Sequence, residues 1–230
     1  IAEQMEDPKQ AKGLVKREVI RVVTPGTLTN SQVLEESKNN YLMGIVYIDG
    51  VFGVSTVDVS TGDYLVTEVR NERSLLDEIY KFSPSELICN EAFYMSGIDL
   101  EDLKVRLNAV ISALENRFFS DDSCRRILRE HFHVEHLEAL GLADYETGAI
   151  AAGAVLQYLY ETQKNTLEHL TRLTVYTTGQ FMMLDTSTRR NLELTETLRE
   201  KQKRGTLLWV LDKTKTAMGA RMLRTLVGQP

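Results

Sequence analysis

The chain has 230 residues, and its shares of apolar residues (43%) and charged residues (26%) are ordinary for a globular protein. No apolar run approaches the roughly 20 residues that a membrane-spanning helix needs, so we expect no membrane partner. The two cysteines, Cys89 and Cys124, lack the close spacing of a zinc site or a redox motif. These features predict a cytoplasmic protein with reduced thiols, long enough for two domains of about 100–150 residues each.

The net charge of −6 is distributed unevenly along the chain. Residues 185–230 contain ten basic and five acidic side chains, whereas residues 1–184 contain 17 basic and 28 acidic ones. Because neutralisation of phosphates supplies most nonspecific affinity for DNA, the acidic part is a poor candidate for DNA binding. The basic part is compatible with nucleic acid nearby, although a solvated helix face is favoured. The sequence begins with Ile1 rather than Met and ends at Pro230 without a capping element, so we expect a piece of a longer protein.

The first predicted elements are short. A strand is expected at residues 19–23, and the sequence Thr-Pro-Gly-Thr at residues 24–27 follows it. Pro at the second and Gly at the third position predict a type II turn, in which the Gly adopts a positive φ. Residues 28–40 are polar and predict a connecting loop that includes a short helix.

Three consecutive antiparallel strands are predicted between residues 41 and 69. The first covers residues 41–48, and Asp49-Gly50 then supplies the dipeptide that best tolerates the two positive φ angles of a tight hairpin. The second strand covers residues 51–59, and the Ser-Thr-Gly sequence at residues 60–62 turns the chain into the third. This meander predicts an antiparallel sheet at the centre of the fold.

Alternating helices and strands follow the meander. Ser74 and Asp77 have the spacing of a capping box, and a helix is predicted with Leu75, Ile79 and Phe82 on its buried face. A short buried strand is predicted at Glu86–Cys89, and Asp99 is expected to cap the next helix. A weak strand within residues 110–119 and a helix from Ser120 complete this series of β–α units, which predicts an α/β domain.

The last third of the sequence predicts helices. Asp144 is expected to cap a long helix that ends near Gln163, in which five small residues within 149–154 permit close approach to a sheet or a neighbouring helix. Residues 160–180 are expected to join the α/β part to a helical part. Its predicted helices are one capped by Asp185 and two further ones at residues 207–211 and 218–227.

A phosphate-binding loop is excluded by residue type. Gly148 and Gly153 have the spacing of a P-loop, but Ala154 and Val155 occupy the positions of the required Lys and Ser or Thr. The spacing also falls within a predicted helix rather than in a loop between a strand and a helix. The sequence therefore predicts no nucleotide-hydrolysing site.

Three aspartates of the meander, Asp49, Asp58 and Asp63, have the chemistry of ligands in a two-metal site. Asp49 and Asp63 occupy turn positions, however, where Asp is expected for backbone reasons. Asp58 is expected to bond the turn at residues 60–62. Structural roles are favoured, and a metal-dependent nuclease that uses the three carboxylates stays open as the alternative.

Two consecutive cations, Arg189 and Arg190, followed by Asn191, lie in the first turns of a predicted helix. Cations are unfavourable at that end of the helix dipole, so we expect a specific partner. The partner is expected to be Asp185, a group of carbonyls in another domain, or phosphate. A salt bridge between domains is favoured over phosphate.

Four motifs, in this order and at this spacing, resemble those of bacterial MutS, a family of DNA mismatch repair proteins. They are Thr24-Pro-Gly-Thr27, Asp58-Val-Ser-Thr-Gly62, Leu184-Asp-Thr-Ser-Thr-Arg-Arg-Asn-Leu192 and Met218-Gly-Ala-Arg-Met-Leu223. The resemblance implies three parts. Residues 1–23 resemble the end of the mismatch-binding domain and a linker, residues 24–165 an α/β connector domain with a ribonuclease H-like fold, and residues 166–230 the start of an all-α core or lever domain.

The resemblance implies a role in transmission rather than catalysis. In the family, ATP-driven rearrangement is relayed through core and connector to the DNA end, and the connector offers a surface to the partner protein MutL. Neither the Phe-x-Glu motif that reads mismatches nor a P-loop occurs here. The resemblance therefore implies ATP, Mg, mismatched double-stranded DNA and dimerisation only for a full-length family protein, and no catalytic, cofactor-binding or metal residue for this chain.

The same resemblance suggests where the moving parts meet. We expect Thr24, Pro25, Gly26 and Thr27 to form one joint between domains and residues 160–180 to form another. Arg189 and Arg190 are the expected latch, with Asp185 and Asn191 beside them.

Overall fold

A computed structural model of the chain describes residues 1–4, 15–28, 35, 37–164, 167–179, 184 and 186–228. The strands in these residues are β1 (Ala2–Gln4), β2 (Arg17–Val19), β3 (Tyr41–Ile48), β4 (Val51–Asp58), β5 (Asp63–Val69), β6 (Glu86–Cys89), β7 (Val110–Ala113) and β8 (Thr174–Val175). The α-helices are α1 (Glu72–Phe82), α2 (Glu91–Tyr94), α3 (Leu100–Leu107), α4 (Asp121–Phe132), α5 (Glu146–Gln163), α6 (Thr186–Asn191), α7 (Leu207–Leu211) and α8 (Ala217–Gly228). Short 3₁₀ helices form at Pro25–Thr27, Asn116–Phe119 and Leu137–Leu140.

A six-stranded mixed sheet, in the order β7-β6-β3-β4-β5-β8, is the centre of the fold. The predicted meander is confirmed, because β3, β4 and β5 pair antiparallel. Asp49 and Gly50 both adopt positive φ in the first turn, as that dipeptide predicts. On the other side of β3, β6 and β7 add in parallel, as expected of strands connected by helices.

Helices cover both faces of this sheet. On one face α5 packs across β3, β4 and β5, and α4 packs against α5. On the other face α1 and α3 cover the sheet, and the predicted inner residues of α1 (Leu75, Ile79 and Phe82) are all buried. Successive strand residues alternate between the two apolar cores, so that Leu42 belongs to the α5 side and Met43 to the α1 side. The result is a helix–sheet–helix sandwich.

Small residues allow α5 to lie against its neighbours without a gap. A Cβ atom on Gly53 of β4 would lie 2.2 Å from the carbonyl oxygen of Thr147, and one on Gly153 of α5 would lie 2.3 Å from Cβ of Cys124. The predicted close approach of this helix is therefore confirmed. Cys124 and Cys89 are fully buried, and burial raises the pKa of each thiol to about 12.

Two predicted helix caps are wrong, and one is confirmed. Helix α1 begins earlier than its capping-box pattern indicates, because Asn71 is the cap and accepts a hydrogen bond from the backbone of Ser74. Tyr145 rather than Asp144 precedes α5. Asp99 caps α3 as predicted, accepting from the backbone N–H of Asp102. At α1 both Asn71 and Ser74 are residue types that cap helices, whereas the cap position of α5 makes no side-chain hydrogen bond to the helix.

The predicted entirely helical segment after residue 166 is wrong at Thr174–Val175, which forms β8. Without β8, the edge of β5 would leave its backbone groups unpaired, and β-branched residues suit this position. Leu167, Leu170 and Leu173 are also buried in the α5-side core. The structure therefore joins residues 167–175 to the sheet.

The strand predicted at residues 19–23 is displaced. Residues 17–19 form β2, which pairs with β1, and the backbone N–H of Val22 instead donates to the carbonyl of Thr162 at the end of α5. Most of the predicted helix-containing loop, residues 29–34 and 36, lies outside the described residues. Asp185 and residues 181–183 also lie outside them.

Candidate interdomain joint

The predicted joint at residues 24–27 rests on one end of the sheet, but its predicted type II turn is wrong. Pro25–Thr27 forms a 3₁₀ helix in which Gly26 does not adopt a positive φ. A Cβ atom at Gly26 would lie 2.9 Å from Cβ of both Glu86 and Leu42. Glycine is therefore required here because the backbone approaches the sheet closely, and not because of its backbone angles.

One buried carboxylate, Glu86, holds this joint. It opens β6, is 2% exposed, and accepts three hydrogen bonds from two other parts of the chain. Thr24 Oγ1 donates to Oε2 at 2.5 Å, the backbone N–H of Gly26 donates to the same oxygen at 2.9 Å, and the Tyr158 hydroxyl donates to Oε1 at 2.6 Å. The carboxylate thus links the 24–27 turn, the sheet and α5.

The protonation state of Tyr158 favours this arrangement. Burial raises the pKa of Tyr158 above its usual value, and the adjacent Glu86 carboxylate raises it further. The phenol therefore keeps its proton and remains a donor at neutral pH. Hydrogen bonds to a charged acceptor are about twice as strong as neutral ones, and loss of one partner leaves a buried group unsatisfied.

Side chains on either side of the turn complete the joint. Arg21 Nη2 donates to the carbonyl of Thr27 at 2.9 Å, and Asn40 Nδ2 donates to the carbonyl of Pro25 at 2.8 Å. Thr24 and Thr27 also bond each other through their hydroxyl groups at 2.9 Å. The turn is therefore fixed mainly by polar contacts, to Glu86, Arg21 and Asn40.

A second buried carboxylate, Glu78 of α1, lies near the predicted latch. It accepts from the Tyr176 hydroxyl at 2.5 Å, and Lys81 Nζ lies 3.1 Å from its Oε2. The Lys81 ammonium is also 4.4 Å from the centre of the Tyr176 ring. Burial lowers the pKa of Lys81, whereas Glu78 raises it. We call Glu78, Lys81 and Tyr176 the Glu78 cluster.

The structure separates the two predicted latch arginines. Helix α6 contacts α1, which places the Arg189 guanidinium near the Glu78 cluster. Burial lowers the pKa of Arg189, while the charges of Glu78 and Asp77 raise it. Arg189 Nε also donates to the carbonyl of Leu184 at 3.0 Å. Arg190 and Asn191 are exposed. Arg189 is therefore the member of this pair that lies close to the Glu78 cluster.

The three aspartates of the alternative nuclease interpretation do not converge. Asp58 and Asp63 are partners at one end of the β4–β5 hairpin, whereas Asp49 lies beyond the opposite end of β4, about 23 Å away at strand spacing. Asp58 is fully buried and accepts from Ser60, as predicted, and from the backbone N–H of Asn40. Its carboxylate fixes the turn and the start of β3.

Sequence reasoning did not identify four residues that hold these contacts: Glu86, Tyr158, Glu78 and Tyr176. Glu78 and Lys81 have the i, i+3 spacing of a helical ion pair, which is a usable but common signal. Glu86 carries no such signal, because its partners are 62 and 72 residues away in sequence. Only the assembled sheet brings them together.

Comparison with known proteins identifies the family of the chain. Residues 40–171 match the model of MutS domain II, residues 187–230 match MutS domain III, and residues 1–32 match MutS domain I. The chain belongs to the MutS family. The domain II match alone covers more than half of the chain, and the resemblance inferred from the four motifs is confirmed.

Curated relatives support the same family over the whole chain. DNA mismatch repair protein MutS from Lachnoclostridium phytofermentans is 62% identical over 230 residues, which are 100% of this chain and 25% of the relative. The MutS proteins of Acetivibrio thermocellus and Ruminiclostridium cellulolyticum are 47% and 46% identical over 233 residues, again with all of this chain and 26% of each relative covered. The chain thus spans about a quarter of the length of these relatives.

In the part of the chain that the structure describes, no helix is both long and apolar enough to cross a membrane.

Proposed function

We propose that this chain is the connector and partial core region of a MutS-like DNA mismatch repair protein. In this role it relays ATP-dependent conformational change between an ATPase end and a mismatch-binding end, and it offers a docking surface to MutL. The ATP, the mismatched DNA and the family dimer belong to the full-length protein. The supporting observation is the Glu86 joint, which connects the segment that matches domain I to the sheet that matches domain II.

The arrangement of polar contacts suits a relay. The Glu86 joint lies where the domain I segment meets the sheet, and the Glu78 cluster lies where α6, at the start of the domain III match, meets α1. A relay needs elements with two discrete arrangements, and hydrogen-bonded carboxylates can exchange partners without disruption of an apolar core. The domain boundary near residue 24 remains part of this proposal, whereas the one expected near residue 166 moves beyond β8, which pairs with the sheet.

A ribonuclease H-like arrangement of the connector belongs to the same proposal. Its support is the strand order, in which a three-stranded antiparallel meander has two parallel strands added beside its first strand. We propose that the fold serves as a rigid body and performs no catalysis in this chain, because a fold can be shared without its active site. A cytoplasmic location stays a prediction.

The relay is tested in a chimera. This chain replaces the matching quarter of the L. phytofermentans MutS protein, and Glu86→Gln is compared with Glu101→Gln, whose exposed side chain pairs with Lys104. We expect Glu86→Gln to retain basal ATP hydrolysis and to reduce its stimulation by mismatched DNA at least roughly five-fold, the lower end of typical allosteric coupling. Glu101→Gln should leave the stimulation unchanged.

A milder variant protects this test against simple misfolding. Tyr158→Phe removes one hydrogen bond to Glu86 and keeps the ring in place, so it should give a smaller loss of stimulation at nearly unchanged thermal stability. Unchanged stimulation in both folded variants would contradict a role of the Glu86 joint in the relay.

Docking of MutL has a separate test. Titration of the immobilised chain with MutL should give saturable binding that survives moderate salt, because a specific interface is not held by charge alone. Absence of binding at high MutL concentration would remove the docking part of the proposal and leave the relay untouched.

A further inference from the structure

A cleft of about 590 Å³ separates the sheet body from the helical segment. Four of the residues that line it from the body side are aromatic or aliphatic, and we call them the apolar floor: Tyr41, Tyr80, Phe82 and Leu107. Leu194 and Leu198 line the opposite side. The volume lies within the range of about 300–1,000 Å³ that is usual for sites that bind small molecules.

The cleft is lined by an excess of cations, which come from distant parts of the sequence. Lys38, Lys81 and Arg106 line it from the body side. Arg189, Arg190, Lys201 and Arg224 line it from the helical side, and among the lining residues that the structure describes Glu196 is the one acidic side chain. We call this feature the basic cleft.

Several of these cations are already partly neutralised. Lys38 pairs with Glu35, Lys81 with Glu78, Arg106 with Asp102 and Arg224 with Glu196. Asp77 and Glu78 also act on Arg189. After these pairs, the lining keeps a positive balance.

Two cations carry that balance. Among the residues that the structure describes, no carboxylate lies within ion-pair distance of Arg190 or Lys201. Both line the cleft from the helical side. A concave surface with low-dielectric walls concentrates the field of such charges, and guanidinium and ammonium groups bind phosphate oxygens well.

We propose that the basic cleft binds a small polyphosphate anion of about the size of a nucleotide, with Arg190 and Lys201 as its principal charge partners. The apolar floor provides room for an uncharged ring attached to the phosphates. Because the lining comes from both sides, such a ligand would bridge the sheet body and the helical segment. Two of its lining residues, Lys81 and Arg189, also belong to the contacts that we assign to the relay, but the binding test below does not depend on a working relay.

The test uses the 230-residue chain and inorganic tripolyphosphate, with binding measured by calorimetry and by the shift in melting temperature. The double variant Arg190→Glu/Lys201→Glu is compared with Lys213→Glu/Lys215→Glu, which changes the net charge equally at exposed positions outside the cleft. We expect the cleft variant to weaken binding roughly ten-fold or more, equivalent to about 1.4 kcal/mol, and the control variant less than about two-fold. Far-UV circular dichroism confirms that both variants fold.

A second arm uses ATP without a divalent ion. If ATP binds more tightly than tripolyphosphate and the cleft variant loses this difference, the base of ATP contacts the apolar floor. If the two bind equally, the cleft recognises the phosphates alone. Absence of binding by the unmodified chain, or equal weakening in both double variants, would overturn the proposal.

Discussion

His131 is a partly buried titratable side chain whose two ring nitrogens both make hydrogen bonds within the fold. Its Nε2 lies 2.8 Å from the carbonyl oxygen of Leu170, and its Nδ1 lies 2.7 Å from the Tyr160 hydroxyl. Because a carbonyl can only accept, Nε2 carries the proton and Nδ1 accepts from Tyr160. The neutral ring thus connects α4, α5 and the segment before β8.

This geometry predicts a pH dependence of stability. Burial lowers the pKa of His131 below 6.5, and the nearby His133 and His169 lower it further. The hydrogen bond to the carbonyl of Leu170 raises the pKa but does not cancel these effects. The unfolded chain therefore binds more protons than the folded chain between the lowered pKa and about 6.5, and the free energy of unfolding falls as pH decreases through that window.

Urea unfolding between pH 5 and 8 measures this effect. The decrease below about pH 6.5 should be smaller in His131→Gln than in the unmodified chain, while the exposed His136→Gln should keep it. Identical pH profiles for the unmodified chain and His131→Gln would contradict the assignment.

The two buried glutamates show why single residues of the joint could not be predicted. Glu86 and Glu78 precede apolar residues in ordinary strand and helix patterns, in which a Glu is expected at the surface. Their burial depends on donors from α5, the 24–27 turn and the segment after β8. By contrast, Asp58 could be predicted, because its partners in the turn lie only two residues away.

At the scale of elements, local patterns were sufficient wherever neighbouring residues decide the structure. The meander, its Asp49-Gly50 turn and the small-residue stretch of α5 are all confirmed. Strand β8 was missed because two residues carry too little periodicity, and only the free edge of β5 selects them. The 24–27 turn was misassigned because its Gly serves close approach rather than a positive φ.

Replacement by alanine should change the stability of the fold differently at two glycines, one in the contact between α5 and β4 and one in open space. Gly53→Ala places a methyl group against the backbone of Thr147, so we expect destabilisation by about 1–3 kcal/mol or more. A Cβ atom on Gly179 would meet no atom of the described, non-adjacent residues within 4 Å, so Gly179→Ala should be neutral or stabilise by up to about 1 kcal/mol through the unfolded state. Urea denaturation of both variants gives the comparison, and equal stability of the two would refute the tight contact.

For the whole molecule, we expect the Glu78 cluster to contribute to the attachment of helix α6 to α1. Glu78→Gln removes the charge that faces Lys81 and Arg189. We expect the opening free energy of residues 186–191 to fall by about 1–2 kcal/mol, which accelerates their hydrogen exchange roughly 5–30-fold. Exchange in β3, β4 and β5 should change little, since the sheet core does not depend on this contact.

Glu72→Gln provides the matched control, because Glu72 lies on the same helix but is exposed. Its exchange profile should resemble that of the unmodified chain. If residues 186–191 exchange equally fast with and without Glu78, the cluster stabilises α1 alone and does not hold α6.

The distribution of charge over the whole chain could be predicted, but not its consequence. The sequence shows that residues 185–230 are basic. In the structure, part of this segment lies opposite Lys38, Lys81 and Arg106 of an otherwise acidic body. Those three cations are separated by up to 68 residues in sequence, so no local pattern indicates a shared surface. The basic cleft exists only in the assembled molecule.

The enclosed thiols of Cys89 and Cys124 have a practical benefit for the study of motion. Maleimide dyes react with the thiolate form of an accessible cysteine, and both natural sulfur atoms are shielded and protonated at neutral pH. Cysteines introduced at the solvent-facing Val105 of α3 and Met222 of α8 would therefore be the reactive pair in the folded chain. Fluorescence energy transfer between dyes at these positions can follow the separation of body and helical segment in real time, with the native cysteines left in place.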